Sequence, residues 1–248
     1  MIKQFYTPTP TSEPVQDGEV LVVGVGGMGC MWAVEAHSRC PDLAELLLID
    51  ADDSSFEGAN RANCLFLDSG GEGRGAAALP SMATHRLRTG SDSISELLDR
   101  AEVIILMTGL GGGMGSGASG ELAKIANQHG CIVLSIAGLP FAEQPLRYAI
   151  AEEALPSLEA NSSVCIRVSM ERLAWQSKRR KTDWMTGSGW IGELVEGLVT
   201  TLASVGRINL DLMDMKAIIN KNGNATLIVG TGPSDNPSSV VEMARNSP

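Results

Sequence analysis

Residues Thr108–Gly117, Thr-Gly-Leu-Gly-Gly-Gly-Met-Gly-Ser-Gly, constrain this chain more than any other stretch. Five of the seven residues in Gly111–Gly117 are glycine, and they lie between the apolar run Val103–Met107 and a helical pattern over Ser116–Gln128. Ordering so many glycines costs backbone entropy. A flexible linker would carry such a run, but linkers do not join a buried strand to a helix. The run makes sense where backbone N–H groups must wrap a ligand with many acceptor oxygens, such as a di- or triphosphate.

A second loop repeats the arrangement. Gly24-Val25-Gly26-Gly27-Met28-Gly29 follows the apolar run Glu19–Val25 and opens an Ala-rich helical stretch that reaches about Arg39. At a helix start the first N–H groups lack intrahelical partners and the dipole favours anions. The bland alternative is a tight strand-to-helix turn with no ligand. Asp50 ends the next apolar run, Leu46–Ile49, at about the distance where dinucleotide sites place a ribose-binding carboxylate. Cys131–Ala137 and Val164–Val168 add two further short apolar runs, each leading to a helical segment, and Trp190–Val205 is a long central helix. Fully apolar strands alternating with helices predict an α/β fold, a doubly wound, Rossmann-like parallel sheet covered on both faces.

Composition narrows the ligand. A net charge of −10 argues against a nucleic-acid backbone or an anionic membrane as partner, and aromatics at 4% argue against a base-stacking platform for single strands. A polyanion must therefore be met by a local device. No apolar run reaches the length of a membrane span, and Met1–Gly18, with three prolines, reads as a flexible leader and no secretory signal. The five cysteines and three histidines are scattered, so no zinc site or disulfide framework is expected and the cytoplasm is the expected location. The basic run Lys178–Lys181 reads as a solvated face.

From Val20 onward the chain resembles the tubulin/FtsZ family, as a divergent FtsZ-like member with a short or missing C-terminal domain. Gly111–Gly117 is similar to that family's signature loop and Gly24–Gly29 to its first phosphate loop. Phe141-Ala142-Glu143 with Arg147 resembles the segment whose Glu and Arg hold ribose and base; the i,i+4 spacing predicts both on one helix face, with Pro145 in a first helical turn. Arg207-Ile208-Asn209-Leu210-Asp211-Leu212-Met213-Asp214 matches the family's Asn-x-Asp-x-x-Asp loop, which enters the next subunit's site and orients the attacking water. Read without the resemblance, Asp211 and Asp214 are carboxylates favoured by a helix N-terminal dipole.

The resemblance implies a GTP/GDP ligand, Mg2+ beside the triphosphate, hydrolysis, head-to-tail self-association into filaments and further protein partners. Its nucleotide-binding residues are Gly24, Gly26, Gly27, Gly29, Asp50, Thr108, Gly111, Gly112, Gly113, Met114, Gly115, Ser116, Gly117, Glu143, Arg147 and Met170, and its catalytic residues are Asn209, Asp211 and Asp214. No protein metal ligand is assigned. It also implies a division into a leader at 1–18, a nucleotide-binding domain at 19–206, and a catalytic-type loop with the remnant of a second domain at 207–248.

Departures from the family are specific. Met114 stands for the first signature threonine, Met170 for the asparagine that reads guanine, and Gly187-Ser188-Gly189 lacks the carboxylate that pairs with the guanine edge. A site without those groups cannot select guanine by paired hydrogen bonds. Trp184 or Trp190 offers a stacking surface instead. Two alternatives remain open: a non-hydrolysing nucleotide-binding module, and an ATP-dependent adenylating enzyme of the ThiF type. In the latter, Asp50 would hold the ribose and Arg61, in Asn60-Arg61-Ala62-Asn63, the triphosphate.

Overall fold

Alternate residues of the first strand serve two cores. In β1 (Glu19–Val25), Leu21, Val23 and Val25 face one helical layer, and Val20 and Val22 face the other. The computed structural model describes residues 19–67, 79–203 and 236–245. After β1 come α1 (Gly26–Ser38), β2 (Glu45–Asp50), two short 3-10 turns, β3 (Cys64–Phe66), α2 (Pro80–Gly90) and α3 (Ser95–Arg100). Then follow β4 (Ala101–Gly109), α4 (Gly113–Gln128), β5 (Ile132–Leu139), α5 (Pro145–Asn161), β6 (Val164–Ser169), α6 (Met170–Arg180), α7 (Trp190–Ala203) and α8 (Pro237–Arg245).

The six strands pair in parallel in the order β3-β2-β1-β4-β5-β6. Leu47, Ile49, Ile104 and Leu106 join the first core under α2, α3, α4 and α5, through Ala83, Leu87, Leu98, Ala118, Leu122 and Leu158. Leu46, Leu48, Ile105 and Met107 join the second under α1, α6 and α7, through Trp32, Ala36, Leu173, Ile191 and Val199. Each such aliphatic side chain contributes about 1.5–3 kcal/mol when fully buried, so the strands read as unbroken apolar runs because both faces need them. Trp32 ties the second layer together: its ring is fully buried and its Nε1 donates to the carbonyl of Trp184 at 3.1 Å.

The doubly wound parallel sheet agrees with the sequence pattern. Pro145 stands in the first turn of its helix, as expected, while one boundary and one face are corrected. Helix α4 starts at Gly113, three residues before the expected Ser116, so Gly113, Met114 and Gly115 form its first turn. Helix α5 starts at Pro145, and Gln144 before it is non-helical with φ −111° and ψ 70°. The proline ring disfavours helical backbone in the preceding residue. Glu143 therefore lies outside the helix and does not share a helical face with Arg147. The strand β3 and the helices α2 and α3 were not anticipated, because three residues carry no periodicity and α2 buries little beyond Ala83, Leu87 and Gly90. The expected leader 1–18, the helix Asp211–Asn220 and the strand Thr226–Val229 lie outside the described residues.

Helices α2 and α4 meet at Gly117, where an added Cβ would lie 1.9 Å from the carbonyl oxygen of Pro80. Gly117→Ala should therefore lower stability by about 1–3 kcal/mol through forced separation of the helices. A urea midpoint unchanged from the parent would refute this packing.

Candidate functional site

The chain builds outward from β1 to β2 and β3, then returns to lay β4 on the other side of β1. Ligands of open parallel sheets bind beyond the strand ends at this reversal. Both glycine loops stand there, because β1 runs into α1 and β4 into α4, with Val25 level with Thr108.

The glycines divide by what surrounds them. An added Cβ at Gly24 would lie 2.5 Å from Gly29 O, at Gly29 2.3 Å from Met107 O, and at Gly115 2.1 Å from Gly109 O. These glycines let backbone pack on backbone. Gly26 and Gly111 turn the chain at φ +75° and +92°, where a side chain is strained. A Cβ at Gly26 would also lie 2.9 Å from Gly115 N, so the two helix starts touch. Gly27 and Gly112 have room for a ligand: the nearest atom to a Cβ on Gly27 is Ser55 Oγ at 3.4 Å, and nothing lies within 4 Å at Gly112. Gly113 is buried as the first residue of α4.

Polar side chains of the second loop brace it. Thr108 Oγ1 is buried, 3.2 Å from Val25 O and 3.2 Å from Gly115 O, and so fastens β1, β4 and α4 together. Ser116 Oγ accepts from Gly111 N at 2.8 Å. Met114 is buried in the first core, where it fills space beneath the loop. Neither α1 nor α4 has a side-chain cap or an acidic residue in its first turn. The uncapped starts leave N–H groups and two positive dipole ends at one place.

Asp50 ends β2 beside Gly27 and is 3% exposed. Its Oδ1 accepts from Ala51 N at 2.7 Å and from Asp52 N at 3.3 Å, and Ser55 donates to the same carboxylate. Burial nonetheless outweighs these bonds and raises its pKa above the ordinary range.

On the other side the row continues through β5 and β6. A Cβ on Gly111 would meet Pro140 Cγ at 2.7 Å and Arg147 O at 2.8 Å, so the start of α5 abuts the glycine loop. Glu143 and Arg147 are exposed there. Met170 is 2% exposed, in the second core against Gly138. Phe141 and Trp184, both half-buried, meet edge to face at 5.3 Å, whereas Trp190 is core. Gly187 packs on Trp32 and Gly189 on Thr182.

Glu171, which sequence reasoning passed over, accepts from Ala142 N at 2.5 Å and from Ser169 Oγ at 2.9 Å. The Ala142 bond leads in drawing its pKa below the usual carboxylate value. A Ser cap followed by Glu signals a helix start, but not a reach to the preceding loop.

Arg61 pairs with Asp53 and lies over the Phe56 ring at 5.8 Å. Asn209, Asp211 and Asp214 lie outside the described residues. Among the described residues no three His, Cys, Asp or Glu side chains are grouped to hold a metal.

Residues 19–177 match the model of the tubulin/FtsZ family, GTPase domain. The chain is 28% identical over 236 residues to cell division protein FtsZ 2 of Halobacterium salinarum, covering 94% of this chain and 60% of that protein. It is 27% identical over 233 residues to FtsZ 1 of Archaeoglobus fulgidus, covering 92% and 62%. Among solved structures, the FtsZ dimer of M. jannaschii superposes with a TM-score of 0.79 at 23% identity, over 94% of this chain and 69% of that one. The chain thus spans about three fifths of the length of these curated relatives. The adenylating-enzyme reading gains no support from these matches.

The pH dependence of Asp50 is testable. With its folded pKa raised, the folded state binds the proton more tightly than the unfolded state. Its contribution to stability is then full below the unfolded value, about 3.9, and is lost as pH rises through the raised value. Asp50→Asn, which mimics the protonated form, should therefore gain stability relative to the parent between pH 4 and pH 7 in denaturant titrations. A pH-independent difference would refute the assignment.

Proposed function

The chain belongs to the tubulin/FtsZ family, GTPase domain, and from that premise we propose that it binds GTP with the phosphates over Gly27 and Gly112. The observation that carries this reading is the meeting of two uncapped helix starts at the sheet's reversal, with those two glycines open to a ligand. Backbone N–H groups and helix dipoles supply the positive potential that a chain of net charge −10 otherwise lacks. Glu143 and Arg147 flank the ribose side. Magnesium would be carried by the phosphates and water, its usual manner beside nucleotides.

Hydrolysis is proposed to need a second copy. Asn209, Asp211 and Asp214 of one copy would enter the next copy's site, where the two carboxylates orient water for in-line attack on the γ-phosphate. Phosphoryl transfer depends mainly on such positioning and on charge stabilisation. A head-to-tail contact of this kind repeats without closing and yields filaments. The solved FtsZ dimer is consistent with pairing of like copies. On this reading the protein acts in the cytoplasm, in keeping with its five free thiols.

Phosphate release from GTP per molecule should rise with protein concentration. Asp211→Ala should lower it by about 100-fold or more, the scale of a lost general base or water-orienting group, while GTP binding persists. Turnover independent of concentration, or intact in Asp211→Ala, would contradict cross-copy hydrolysis.

Gly112→Ala separates ligand contact from folding. The backbone there is extended and the space empty, so stability should change by less than about 0.5 kcal/mol. GTP affinity measured by calorimetry should fall about tenfold, or 1.4 kcal/mol. Unchanged affinity would remove Gly112 from the phosphate site.

A further inference from the structure

The tryptophans divide unevenly between core and surface. Trp32 and Trp190 are buried in the second core and Trp184 is half-buried, whereas Trp175 on α6 is 61% exposed. Met170, Leu173 and Ser177 supply the buried side of that helix. On the outer side the Arg179 guanidinium lies over the Trp175 ring, 4.6 Å from its centroid. Lys178 and Arg179 follow Trp175 by three and four residues and so share its face. Both are exposed, as is Lys181, which ends the helix at φ +57°. We propose that this face of α6, formed by Trp175, Lys178, Arg179 and Lys181, docks an acidic peptide segment of a partner protein that carries an apolar side chain among its carboxylates.

Basic residues in the last turn of a helix are favoured by its dipole. That accounts for Arg180, which also pairs with Glu193 on α7. It does not account for the rest. Among the described residues no carboxylate pairs with Lys178, Arg179 or Lys181. The dipole also gives no reason for an exposed indole in the preceding turn. Trp and Arg are the side chains that most often anchor protein interfaces. Stacking on Arg179 holds the ring in place before a partner arrives, so less side-chain freedom is lost on docking.

Charge complementarity sets the partner's sign, because three cations without a carboxylate partner stand together on a chain of net charge −10. Length sets its size. Trp175 to Lys181 covers about 9 Å of helix, which three residues of an extended peptide match at about 3.3 Å each. A nucleic-acid duplex or an anionic lipid surface is larger, and would bring its charges against the acidic remainder of the chain, within the range of about 8 Å over which repulsion acts at physiological salt. The surface is also separate from the phosphate loops: Lys181 stands about 15 Å along α6 from Glu171 at the strand ends.

The experiment follows fluorescence anisotropy of a short labelled peptide of Asp and Glu around one Phe, titrated with the full chain. Its neutral twin, with Asn and Gln for Asp and Glu, should bind at least about tenfold more weakly. Arg179→Glu and Trp175→Ala should each weaken the acidic peptide about tenfold, the scale of an interface anchor, and Trp175→Phe, which keeps a ring, should lose less. Lys124→Glu, the same change of charge at an exposed position of α4, should leave affinity within about twofold. Equal binding of the neutral twin, or an equal loss in Lys124→Glu, overturns the proposal by reducing the effect to net charge. No binding of the acidic peptide overturns it too, as does binding of phosphatidylserine vesicles or an oligonucleotide through these residues in preference to the peptide.

Discussion

The contact between the starts of α1 and α4 sets the rest of the structure. Gly26 and Gly115 approach so closely that a Cβ on the first would lie 2.9 Å from the amide nitrogen of the second. Two helix N-termini carry positive partial charge and repel at such a distance. The fold accepts this because β1 and β4 are neighbours in register and Thr108 Oγ1 lies between Val25 O and Gly115 O. An anion placed between the two ends turns the repulsion into shared attraction, which is the physical sense of the proposed phosphate site.

Glycine density in these loops therefore has two causes that sequence cannot separate. Gly24, Gly29, Gly115 and Gly117 are small because protein backbone occupies the space of their missing side chains. Gly27 and Gly112 have room: a Cβ on Gly27 comes no closer than 3.4 Å to Ser55 Oγ, and nothing lies within 4 Å at Gly112. A cradle needs both kinds: the first bring the helix starts together, and the second leave the ligand a place to lie.

Much of the fold was legible because both faces of the sheet are buried, so the strands are apolar throughout. The helix boundary at α4 was not, since Gly113 and Gly115 disfavour helix and the turn is set instead by Gly115 packing on Gly109 and Thr108 and by Met114 in the core. Met114 reads in sequence as a lost hydroxyl. In the structure it is a buried apolar wedge, while Thr108 and Ser116 supply hydroxyls that brace the loop. The alignment of Glu143 with Arg147 failed at one residue, Pro145, whose ring keeps Gln144 out of the helix. The bond from Ala142 to Glu171 was invisible in the sequence because it crosses 29 positions and is fixed only by the pairing of β5 with β6.

Amide hydrogen exchange resolved by residue, with and without GDP, tests the central claim most directly. The expected result is slowed exchange at Gly27, Met28 and Gly112–Met114, the backbone N–H groups at the two helix starts, with little change across α2 and α3. Saturating GDP that leaves those amides exchanging as before, with protection appearing elsewhere, would contradict a phosphate site built from the meeting of α1 and α4.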